Sequence, residues 1–78
     1  MSKEKYNFIL VNSKTFTKFL NIIKEKANLN SYEQKDNETH YVVNNFIVGF
    51  SKYYEDLKIN YYYIHKFFID LVEEQVYE

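Results

Sequence analysis

The sequence predicts an α+β domain, two helices packed on one face of a short antiparallel sheet in the order β-α-β-β-β-α. Three observations carry that prediction. A β-rich run, Tyr6–Val11, is followed at once by an amphipathic helical pattern over residues 14–27. Two polar pairs, Asp36-Asn37 and Asn44-Asn45, then punctuate segments rich in Val, Ile, Phe and Tyr. From Tyr54 onward, Tyr54, Leu57, Tyr61, Ile64, Phe68 and Leu71 are spaced by threes and fours. The competing architecture is an all-α three-helix bundle, because Val42 to Leu57 also contains a helical stripe.

Each element has its own local grounds. Tyr6–Val11 is almost continuously apolar, which reads as an interior strand covered on both faces. Ser13 offers a hydroxyl for the helix N-cap. Phe16, Phe19, Leu20, Ile23 and Ala27 then form one face, with Lys14, Lys18, Asn21 and Glu25 opposite. Lys24 and Lys26 suit the negative pole of the helix dipole, and Asn28 suits a left-handed cap beyond it. Strands are expected at Tyr32–Lys35, Glu38–Val43 and Phe46–Lys52. The last is chosen over a helix because two Asn, one Gly and a β-branched cluster are weak helix formers. The spacing from Tyr54 predicts a second long helix, although Tyr61-Tyr-Tyr-Ile64 has the propensity for a strand over residues 58–65.

Size and composition restrict function. Seventy-eight residues make one domain, 1–78, with room for a single small core. There is no Cys, so disulfides and thiolate metal sites are excluded. The chain's aromatic content of 21% leaves dense ring packing and association as its means of stabilisation. No apolar run approaches the ~20 residues that span a bilayer, and no signal-peptide pattern is present, so a cytoplasmic protein is expected. All ten basic residues are Lys, Pro is absent, and Asn, Ile, Phe and Tyr abound. These residues have AT-rich codons, which points to an AT-rich genome such as that of a low-GC bacterium or a virus infecting one.

Charge is unevenly placed. Residues 1–28 carry six Lys against Glu4 and Glu25, a net +4, whereas residues 29–78 carry four Lys against nine acidic groups, a net −5. A bipolar domain of this kind suits polar partners or self-association.

No pattern of catalytic, metal or cofactor-binding residues emerges. His40 and His65 are the only groups that titrate near neutrality unshifted, and no spacing pairs either with a nucleophile or a metal set. The expected role is therefore a non-enzymatic binding protein without cofactor, one instance being a virus- or mobile-element-encoded inhibitor of a host enzyme or defence complex. If the second helix is continuous, Ile59, Tyr63 and Phe67 form an outer aromatic stripe beside Asp70, Glu73 and Glu74. Tyr and Phe anchor protein interfaces, so this stripe is the expected partner surface. A second copy of the chain is one candidate partner. The alternative is a nucleic-acid-binding or regulatory module using Lys14, Lys18 and Lys24 on the first helix. A strand and helix of this sort are similar to the opening of RNA-recognition folds, but the second aromatic string of those folds is missing.

Overall fold

The computed structural model describes residues 7–72. Strand β1, Phe8–Val11, leads into helix α1, Ser13–Lys26. Four further strands follow: β2, Asn30–Gln34; β3, Glu38–Val43; β4, Phe46–Tyr54; and β5, Ile59–His65. A 3₁₀ turn, Lys66–Phe68, then runs into helical backbone at residues 70–72. The five strands form one antiparallel sheet in the order β1-β5-β4-β3-β2. The class is α+β, and the all-α bundle is excluded.

Helix α1 begins one residue earlier than Ser13 suggests. Asn12 is the N-cap, and its Oδ1 accepts from the Thr15 backbone N–H at 2.7 Å. Asn and Ser are nearly equal as caps, so sequence alone does not separate neighbours. Asn12→Ala should cost about 1 kcal/mol, read as a lower urea midpoint with unchanged slope. The helix ends at Ala27, which is extended and donates its N–H to the Ile23 carbonyl, so Asn28 is not a left-handed cap.

The hairpin turns follow the Asn and Asp pairs. Asn44 and Asn45 both have positive φ, 52° and 66°, between the paired residues Val43 and Phe46. Such backbone suits the right-handed twist of a two-residue hairpin, and Asn tolerates it well. Asp36 and Asn37 adopt the same left-handed region between β2 and β3.

The main departure lies after Tyr54. The expected helix is instead a four-residue turn, with Lys58 left-handed at φ 56°, and then strand β5. β5 is hydrogen-bonded on both sides, to β1 and to β4, so it is central to the sheet. A helix here would leave β1 with no partner for its backbone groups. β-branched and aromatic residues over 59–65 satisfy that pairing. Conversely, β1 is an edge strand and not an interior one, and Leu10 is 57% exposed.

The core lies on one side of the sheet. Phe16, Phe19 and Ile23 of α1 pack against Val48, Ile64, Ile69 and Val72, so α1 and the C-terminal helical residues share that side. A bulge sets its shape: Tyr41 pairs with Gly49 and Val42 with Ile47, which leaves Val48 as the extra residue. At Gly49 the missing side chain opens a hollow for the Phe16 ring, which meets Tyr41 at 5.3 Å and Tyr62 at 5.2 Å between ring centroids. The core contains no buried polar side chain among the described residues.

Candidate interaction surface

Strand alternation sends every second side chain to the side opposite α1. The register fixes which ones. Phe8 lies opposite His65, Leu10 opposite Tyr63, Tyr63 opposite Phe50, Lys52 opposite Tyr61, and His40 opposite both Phe50 and Tyr32. Residues facing each other across antiparallel strands share a face. Tyr54 and Ile59 form a further pair of this set. Among the described residues no helix or second sheet covers this side.

The rings on that surface hold one another. Phe50 stacks on Tyr63 with centroids 4.6 Å apart and planes inclined by 16°. Phe8 meets Phe50 edge-on at 5.0 Å and His65 at 5.1 Å. Tyr54 and Tyr61 lie 4.9 Å apart. From His65 the chain of rings continues to Phe46 and Phe68, and Phe68 reaches Phe19 in the core. Each such pair contributes about 0.5–1.5 kcal/mol beyond area burial, so the face is preorganised.

Charge on this face is sparse and internally paired. Glu38 contacts His40 Nε2 at 3.0 Å through Oε1, and Lys52 Nζ at 3.5 Å through Oε2. The Lys52 ammonium also sits 5.5 Å from the Tyr54 ring centroid. Burial, and after it the neighbouring Tyr54, raise the Tyr63 phenol above the ordinary tyrosine range. A tyrosine is neutral at physiological pH in any case, and the shift keeps this phenol protonated further into the alkaline range. Among the described strand residues no Ser, Thr or Cys side chain shares the face with the Glu38–His40 pair, so none of them gives the pair an aliphatic hydroxyl or thiol to activate.

His65 closes the end of β5. Its Nδ1 accepts from the Phe67 backbone N–H at 3.1 Å, which requires an unprotonated nitrogen. Burial first, and Lys66 second, lower its pKa. The unfolded chain therefore binds more protons below a pH of about 6.5. This contribution to stability is complete above that pH, declines as pH falls, and levels off once the folded imidazole is protonated too. His65→Asn keeps an acceptor for Phe67 but does not titrate. Denaturation midpoints of this variant should vary less between pH 7.5 and 5.5 than those of the parent.

The expected partner residues separate into two places. Ile59 and Tyr63 both lie on the open sheet face, as strand neighbours four apart and not as a helical stripe. Phe67, 75% exposed, lies beyond β5 and lines a different feature, an apolar groove of about 630 Å³ with Ile23, Val43, Phe46 and Leu71. Asp70 stands on the rim of that groove. Glu73 and Glu74 lie outside the described residues. Lys14 and Lys18 share the exposed side of α1 with Asn21 and Glu25, and Lys24 lies off that stripe. The core and the sheet lie between them and the aromatic face.

Helical periodicity assigned Tyr54 and Tyr61 to a core stripe, and Phe8, Phe50, His40 and Lys52 were not expected on a partner surface. Their signal is the period of two in Phe50-Ser-Lys-Tyr-Tyr54 and Ile59-Asn-Tyr-Tyr-Tyr63. Among the described residues no three His, Cys, Asp or Glu side chains come together as a metal site, and no helix is long and apolar enough to cross a membrane. No family model, no curated protein and no solved structure matches this chain.

Proposed function

We propose that this chain is a non-enzymatic protein-binding module that docks a protein partner on its open aromatic sheet face. The observation that carries the reading is the contiguous ring surface of Phe8, Phe50, Tyr54, Tyr61 and Tyr63, opposite the helices. Aromatic residues with few charges are the composition of interface centres. These five rings are half-buried, with Leu10, Tyr32 and Ile59 of the same face more exposed, and exposed apolar surface grouped in this way suits an interaction site.

Two features favour a protein over nucleic acid. Lys52 is already paired with Glu38, so among the described residues the strands of this face offer phosphates no surplus positive charge. The Phe50 and Tyr63 rings stack on each other, which takes up π-faces that bases would use. By covering a partner's own working surface the module would act as an inhibitor. The abundance of residues with AT-rich codons supports an origin in a low-GC bacterium or a virus infecting one.

The test is affinity capture followed by titration of the purified captured protein. Phe50→Ser combined with Tyr63→Ser should weaken binding by about 30-fold or more, the scale of an interface hot spot, while the circular dichroism spectrum is retained. Unchanged affinity would show that the partner does not bind this face. Capture of nucleic acid instead, lost with salt and with Lys14→Ala and Lys18→Ala, would favour the helix surface.

A further inference from the structure

We propose that β1 is also a self-association edge, pairing antiparallel with β1 of a second copy to make a ten-stranded sheet. The inference stands on the edge itself and is independent of the partner reading above. β1 pairs only with β5, and among the described residues no strand lies beyond it. Yet its sequence, Phe-Ile-Leu-Val, is that of an interior strand, with Ile9 38% and Leu10 57% exposed.

The two edges of the sheet differ in their protection. β2, at the far edge, is Asn-Ser-Tyr-Glu-Gln, exposed along its length and followed by Lys35. Polar and charged residues of that kind discourage strand addition. β1 has neither a charge nor a Pro to do so. An unprotected apolar edge is a template for another strand.

A second copy is the occupant that the charges fit. In a twofold antiparallel pair the central residue faces itself and each other residue faces the one equally far beyond the centre, so a charge in this segment would face itself or an uncharged neighbour. Residues 7–13 carry none. A twofold axis normal to the sheet keeps the same side up in both copies. The two α1 layers then lie together, and the two aromatic faces join as one surface of doubled width. Because opposed residues share a face, the register is centred either on Ile9 or on Leu10.

The chain has no Cys, so single cysteines report the pairing cleanly. Ile9→Cys and Leu10→Cys, each tested alone, place Cβ atoms about 4.5–5.5 Å apart in their respective registers. One of them should form a disulfide-linked dimer under mild oxidation at least ~10-fold faster than Tyr32→Cys on the opposite edge, given the steep geometric demand of the bond. The parent should sediment as a dimer at high micromolar concentration, and Ile9→Lys as a folded monomer. Leu10→Lys, at a more exposed position, repeats that test with less demand on folding. Ile9→Lys leaves the aromatic face intact, so its partner affinity reports separately on the proposed function. A monomeric parent, or cysteine linkage no faster at β1 than at β2, overturns the proposal.

Discussion

Phe19→Ala should unfold a large fraction of the molecules at physiological temperature. Phe19 has no exposed surface and sits between Phe16, Phe68 and the Gly49 hollow. Truncating a buried Phe costs about 3–5 kcal/mol, the lost transfer energy plus the cavity left behind. A chain of this length has a total stability on the order of 4–12 kcal/mol. Among the described residues the seven of this buried cluster are the one core. The melting temperature should drop by more than about 15 °C, since 1 kcal/mol shifts a domain of this size by ~4–8 °C. Phe19→Leu, which retains most of the volume, should lose less than half as much. Phe67→Ala removes a ring that is 75% exposed and should change stability by no more than about 0.5 kcal/mol. A Phe19→Ala midpoint within ~5 °C of the parent would mean that the core is not centred on this ring.

Helix α1 was legible because its apolar residues recur with the helical period and nothing else in that segment competes. The turn at Asn44-Asn45 was legible because left-handed backbone selects Asn, a local chemical requirement. β5 was not legible, because its decisive interactions are nonlocal. Ile64 faces the core while Tyr61 and Tyr63 face away, yet Tyr61 and Ile64 are three apart and mimic a helical stripe. Only the need of β1 and β4 for a strand between them settles the matter. The same error moved the candidate surface. Ile59 and Tyr63 remain side by side, but their companions are Phe50 and Tyr54 from another strand, and Phe67 belongs to a separate groove. Sequence spacing finds neighbours along one element; neighbours across a sheet depend on register.

Gly49→Ala should destabilise the domain, against the usual direction for a glycine inside a strand. Replacing such a glycine ordinarily gains about 0.5–1 kcal/mol by restricting the unfolded chain. Here a Cβ would stand 2.7 Å from the Tyr63 carbonyl oxygen and 3.2 Å from Phe16 Cε1. The carbonyl belongs to the backbone of β5, held in the ladder between β1 and β4, and cannot swing aside as a side chain could. Overpacking of this kind costs about 1–3 kcal/mol, so a fall of roughly 5–20 °C in melting temperature is expected. Which contact dominates can be read from a double variant. Phe16→Leu relieves the ring contact and leaves the carbonyl contact, so it should not rescue Gly49→Ala. Full rescue would assign the cost to Phe16 and show that the strands can part. The strain also crosses the sheet, because the displaced Tyr63 backbone carries the ring that stacks on Phe50. Gly49→Ala should therefore alter the near-ultraviolet tyrosine dichroism while leaving the far-ultraviolet spectrum unchanged below the melting transition. Unaltered signals in both regions, with an undiminished melting temperature, would refute the close approach at this position.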